Sequence, residues 1–143
     1  MITREADYSI RAILYLSEPE RSERIVPVKE LAECTNIPYR FLRKIMLGLV
    51  NSGFVISVRG RNGGFRLARK PQGISLLDVL QATDPRGITL NRCLREGESC
   101  CQMGHCPVHV QLEALQERLD SSLSGITFDQ LHHLQPVGAD AAS

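Results

Sequence analysis

A mainly α fold with one short β-hairpin and a long C-terminal helix is what the 143-residue sequence predicts. Three observations carry this expectation. Apolar residues recur at helical spacing through residues 3–17, 28–34, 38–52, 74–84 and 107–124. Residues 54–68 switch to β-branched and aromatic content around a glycine-rich turn. The last long segment carries its apolar residues in 4-3-4 spacing, the pattern of a helix that pairs along one seam.

Composition bounds the rest. Hydrophobic residues make up 43% and charged residues 23%, the balance of a chain that buries one ordinary core. No apolar run approaches the ~20 residues that cross a bilayer. The opening MITREADYSI is charged and lacks a secretion signal. The sequence therefore predicts a cytoplasmic protein with no membrane partner, in a compartment where structural disulfides are rare.

Each element follows from local chemistry. Thr3 suits the cap of the first helix, with Ala6, Ile10, Ile13, Leu14 and Ser17 inward. Residues 18–27 are a polar connection ended by Pro27. A short helix, Val28–Cys34, turns its Val28, Leu31 and Ala32 inward. The turn 35–38 ends on Pro38, which suits the first position of the next helix. That helix runs to about Ser52 on a face of Phe41, Leu42, Ile45, Met46, Leu49 and Val50, and Gly53 supplies a left-handed cap. Phe54–Val58 and Phe65–Ala68 are the hairpin strands. Ser75 and Asp78 form a capping box, and Ile74 with Val79 a hydrophobic staple, for a helix ending near Asp84-Pro85. Residues 86–106 form a loop long enough that something must organise it. Pro107 to Ser124 is the last major helix, capped by Gly125. A short terminal helix starts near Thr127, and the tail after Pro136 reads as frayed.

The net charge of +1 hides an asymmetry. Residues 1–70 hold 13 Lys and Arg against 7 Asp and Glu, whereas residues 71–143 hold 4 against 9. Residues 40–70 contain no acid. Two helices joined by a four-residue turn and followed by a basic hairpin match a winged helix-turn-helix, whose second helix enters the major groove. Tyr39, Arg40, Arg43 and Lys44 face outward on that helix, suited to base edges and phosphates. Arg59 and Arg61 lie at the wing, placed for the minor groove or backbone. The expected partner is double-stranded promoter DNA.

Four of five cysteines fall between Cys93 and Cys106. No CxxC pair occurs, so paired zinc-knuckle spacing is absent. Thiolates five or six residues apart on a glycine-containing loop suit an iron–sulfur cluster or zinc, with a redox disulfide as a third reading. Cys106 and His109 share the first turn of the last helix, whose positive end favours thiolate charge. Cys34 reads as a small buried apolar residue, and His132 and His133 as solvated.

At this point the chain resembles a family. Ile2–Ala12, Ile37-Pro38 with Phe41-Leu42 and Ile45, the wing Ser57–Ala68, and Ile74–Val79 resemble the winged-helix regulators typified by IscR and NsrR, the Rrf-two superfamily. The resemblance covers residues 1 to about 124. It implies a homodimer on near-palindromic DNA and a cluster held by three loop cysteines, of which Cys93, Cys100 and Cys106 fit best. The first gap is six residues here and five in familiar members, and Cys101 would give gaps of seven and four. In members resembling IscR a His at the position of His109 completes a two-iron [2Fe-2S] site. In those resembling NsrR an Asp at the position of Asp7, from the other subunit, completes a four-iron [4Fe-4S] site. His105 has no counterpart. IscR carries an acid where this chain has Arg43, a departure at the residue that in IscR helps change DNA preference with cluster state.

The expected organisation is a DNA-binding unit over residues 1–84, a cluster loop over 85–106, a dimerisation helix and short terminal helix over 107–135, and a tail over 136–143. The dimer seam is Val108, Leu112, Leu115 and Leu119. Enzymatic chemistry has no support: the wing glycines precede no helix, and no nucleophile–base pattern stands out. The rival readings are a zinc- or thiol-switch transcription factor, and a metal-binding accessory protein that uses the winged helix for protein contacts.

Overall fold

The computed structural model describes residues 2–84, 86–100, 102 and 104–134. In chain order these form helices α1 (Arg4–Ser17), α2 (Val28–Thr35) and α3 (Tyr39–Asn51), strands β1 (Val55–Val58) and β2 (Gly64–Leu67), then α4 (Leu76–Thr83), α5 (Pro107–Ser124) and α6 (Phe128–Leu131). Single 3-10 turns lie at Pro71–Gly73 and Arg92–Leu94. This is the mainly helical winged-helix architecture with a long C-terminal helix that the sequence predicts.

Helix α1 is the hub, packed against α2, α3, α4 and α6. Thr3 caps it, its Oγ1 accepting the Ala6 N–H at 3.1 Å. Its buried face is Ala6, Ser9, Ala12, Ile13, Leu16 and Ser17. Ile10 and Leu14, expected inward, are only partly covered. The face rotates because small residues sit where helices approach closely, and Ser9 and Ala12 supply them.

Helix α2 buries Leu31 and Thr35, and Asn36 ends it in the left-handed region at φ 54°. Cys34 lies off that stripe and is exposed, which corrects its reading as a core residue. Pro38 precedes α3 as its cap rather than opening it: its backbone is extended and its carbonyl accepts the Leu42 N–H at 3.1 Å. Leu42, Ile45, Met46 and Leu49 form the buried face of α3. Gly53, at φ 78°, follows in the left-handed conformation.

The hairpin is antiparallel, with Val55 opposite Leu67 and Val58 opposite Gly64. A third strand position joins it from the connection after α1. Val26 exchanges backbone bonds with Phe65 at 2.8 and 2.9 Å and is fully buried. Gly64 makes this approach possible. At φ 155°, a Cβ there would stand 2.1 Å from the Val26 carbonyl oxygen.

The capping box of α4 is present, Ser75 N–H to Asp78 Oδ2 at 2.9 Å and Asp78 N–H to Ser75 Oγ at 3.1 Å. Ile74 and Val79 are both fully buried. After α5 the chain returns to the same place. The Leu76 N–H bonds Ile126 O at 2.9 Å, and the Phe128 N–H bonds Ile74 O at 3.1 Å. Phe128 is fully buried in the core formed by α1–α4. His132 is half-buried, not solvated: its Nε2 lies 2.8 Å from Ser17 Oγ. Because the Ser17 hydroxyl donates to Leu14 O, the imidazole Nε2–H is the donor in that contact. The fourth helix ends at Thr83 with Asp84 as its cap residue, close to the expected end, while Pro85 and the tail 136–143 lie outside the described residues.

Candidate nucleic-acid interface and thiol loop

A hydrogen-bonded cluster ties α1, α2 and the connection between them together. Tyr15 O–H donates to Glu30 Oε1 at 2.8 Å, and Arg24 grips both Glu30 oxygens at 2.6 and 3.0 Å. The Arg24 hydrogen bonds, then that of Tyr15, hold the Glu30 carboxyl down to about 2. Burial, followed by the neighbouring Cys34 and Glu30, pushes the Tyr15 hydroxyl up. The Arg21 guanidinium stacks 3.9 Å from the Tyr15 ring centre.

On α3, Tyr39, Arg40, Arg43 and Lys44 are all exposed. Arg40 lies 4.7 Å over the Phe41 ring, and Phe41 in turn packs on Tyr8 at 5.9 Å. Lys44 Nζ meets Glu5 Oε2 at 3.2 Å in an exposed pair, a contact weak enough for a phosphate to displace. Arg43 has no acidic partner among the described residues. Arg59 and Arg61 are exposed in the turn between β1 and β2. Arg66, passed over as a contact residue, is exposed on β2 opposite Ile56. Its place in the acid-free basic stretch of residues 40–70 was the available signal. Helix face and hairpin tip thus present cations with little local neutralisation, the electrostatic form of a polyanion surface.

The thiol loop is looser. Cys93 is half-buried in the Arg92–Leu94 turn, and Cys100 is exposed. Both border one recess of about 420 Å³, with Arg92, Glu98 and Ser99 on its walls. Arg92 spans it to Glu98 at 2.9 and 3.1 Å. Cys106 is half-buried as the cap residue of α5. His109 stands in the first turn, its Nδ1 buried and without a hydrogen-bond partner. His105 is exposed. Asp7 is engaged by Arg11 at 2.8 Å on the α1 surface. Cys101 and Met103 lie outside the described residues. Among the described residues, no three Cys, His, Asp or Glu side chains converge tightly enough to hold a metal ion. The donor chemistry nevertheless suits a thiolate-bound centre: free thiols at 93, 100 and 106, and an imidazole nitrogen buried with nothing to bond.

The loop is organised from α5. Gln116 bonds the Ile88 carbonyl at 2.7 Å, the Leu90 N–H at 2.8 Å and Asp120 at 3.0 Å. The seam residues of α5 remain open. Val108 is 60% and Leu115 48% exposed, Leu112 and Leu119 are half-buried, and no residue of α5 is fully buried.

A family model described as Rrf2, an iron-dependent transcriptional regulator, matches residues 2–133. The chain belongs to the Rrf2 family. Its relatives include NsrR of Bacillus licheniformis, a transcriptional regulator 32% identical over 121 residues, 83% of each chain. The solved T. potens IscR superposes with a TM-score of 0.70 at 22% identity, covering all of this chain and 91% of that one. CymR, the global cysteine regulator of B. subtilis, superposes with a TM-score of 0.69 at 20% identity, over 95% and 98% of the two chains. These two likenesses bear on the fold. As an Rrf2 protein the chain is a transcriptional regulator of a DNA-binding family, not an enzyme. Among the described residues, no helix is long and apolar enough to cross a membrane.

Proposed function

We propose that this Rrf2 protein is a cytoplasmic homodimer that binds promoter DNA under the control of an iron–sulfur cluster, and so reports nitric oxide, redox or iron–sulfur status. Residues 1–84 read DNA, residues 85–106 with His109 hold the cluster, and α5 pairs the two chains. The observation that carries the cluster reading is the buried, partnerless His109 Nδ1 one turn beyond Cys106, on a chain with free thiols at 93 and 100. Cys93, Cys100 and Cys106 are the thiolate ligands. His109 is taken as the fourth on its buried, partnerless Nδ1, with Asp7, beside Arg11 on the exposed face of α1, as the alternative. This choice corresponds to a two-iron [2Fe-2S] centre in the resemblance to IscR. When bound, such a centre supplies one-electron redox chemistry and a site open to attack by nitric oxide or oxygen.

The chain's own residues do the rest. Val108, Leu112, Leu115 and Leu119 bury against their counterparts in a second chain, which fixes the separation of two α3 helices about one duplex turn apart. Tyr39, Arg40, Arg43 and Lys44 enter the major groove, and Arg59 and Arg61 follow the minor groove or phosphates. Gln116 ties the thiol loop to α5, and the Ile126–Leu76 and Phe128–Ile74 bonds tie the end of α5 to α4. A loop that loses its ligands therefore pulls on a helix joined at its far end to the DNA-reading core. A thiol switch is the second reading, favoured by Cys93 and Cys100 bordering the same recess.

Anaerobic purification with a visible spectrum and iron, sulfide and zinc analysis tests the proposal, followed by promoter binding across a salt series. Iron and sulfide in equal amounts, and binding that falls steeply with salt and changes on cluster removal, are expected. A colourless protein that stays bare after reconstitution overturns the cluster reading. So does a Cys106→Ala variant with undiminished iron and sulfide.

A further inference from the structure

One aliphatic side chain of α3 is left exposed. Leu47 is 59% exposed. At ~100° per residue it projects within about 20° of Arg40, with Arg43 on one flank and Lys44 on the other. The buried Leu42 and Leu49 point the opposite way. Leu47 thus stands at the pole of the cationic face. Single exposed leucines are ordinary on protein surfaces. This one is set apart by its ring of cations, which makes a nucleic acid its occupant rather than an apolar protein surface.

We propose that Leu47 selects thymine in the half-site. The inference rests on the reading that α3 enters the major groove. Base-pair edges there offer hydrogen-bonding groups and one apolar group, the thymine C5-methyl. Arg40 and Arg43 can satisfy acceptors such as those of guanine. Leu47 has no hydrogen bond to give, so an amino edge of cytosine or adenine beneath it loses water without gaining a partner. A methyl beneath it is covered instead. Leu47 lies seven residues from Arg40, about 10 Å along the helix. The thymine it covers therefore sits on the order of three base-pair steps from the base that Arg40 meets.

The test begins by selecting duplexes from a random pool with the full chain. Each thymine of the enriched site is then replaced singly by deoxyuridine, which pairs identically and lacks only the methyl. Affinities are measured at fixed salt for the wild-type chain and for Leu47→Ala. One position per half-site is expected to weaken wild-type binding about fourfold on replacement, the effect of uncovering one methyl. Leu47→Ala is expected to keep its thermal melt and bind both duplexes equally. An enriched site without thymine, a wild-type chain indifferent to every replacement, or a Leu47→Ala variant with the same fourfold loss overturns this inference alone. A chain that enriches no duplex overturns the DNA reading beneath it as well.

Discussion

Residues 2–84 and residues 86–127 are built on different terms. Every buried apolar side chain among the described residues lies in the first region, with Phe128 the sole addition from beyond it. Between residues 86 and 127, no described residue is fully buried. The first region closes its own core around α1. The second carries an open leucine stripe, free thiols and an orphaned imidazole nitrogen. On the proposed reading, the difference separates what the chain completes alone from what a second chain and a prosthetic group would complete. In the proposed division of labour, the rigid region recognises and the unfinished one responds.

The sharpest break in this comparison is Phe128→Ala. Phe128 is fully buried, so the change should cost about 3–5 kcal/mol. Urea denaturation would show it. A loss below 1 kcal/mol would mean that the first region does not need α6. Leu115→Glu acts on the other side. It should leave the melt of the first region unchanged, convert a two-chain species to one chain in sedimentation, and weaken binding to a two-half-site duplex by about tenfold or more. An unchanged sedimentation profile would remove Leu115 from the seam. Ser75→Ala should cost about 1 kcal/mol through loss of one cap, also read by denaturation.

The smallest expected effect is a pH dependence at His132. Burial, then the nearby His133, lowers its pKa, with Arg21 adding to this and Ser17 and Asp129 opposing it. The folded state thus favours the neutral ring more than the unfolded chain does. Its contribution is present above the ordinary histidine range near 6.5 and is lost as pH falls below it. Stability measured from pH 7.5 to 5 should decline less in His132→Gln than in the wild-type chain. Equal declines would assign the acid sensitivity elsewhere.

The first region was the legible one because its determinants are local. Thr3, the Ser75–Asp78 box, the left-handed Gly53 and the period of α3 all act within a few residues of themselves. The missed features are contacts between distant segments. Val26 looks like part of a polar connection until Phe65 arrives beside it, and Phe128 looks like a stray aromatic until Ile74 bonds its backbone. Ser9 and Ala12 were overlooked because smallness, not hydrophobicity, earned them the inner face of α1. Cys34 went wrong by one position on a short helix, where the stripe through Leu31 and Thr35 excludes it. At the thiol loop, residue types and spacing suggested donors, but among the described residues these side chains do not converge on one site.

Gly64 lets the strand position at Val26 close against the wing with no slack between the two backbones. The tip bearing Arg59 and Arg61 therefore takes its bearing from the segment that leads out of α1, as a gunsight takes it from its mount. Lengthening or stiffening residues 18–25 would re-aim those arginines without touching either of them. On the proposed reading, binding specificity is thus open to tuning from a stretch outside both the reading helix and the wing.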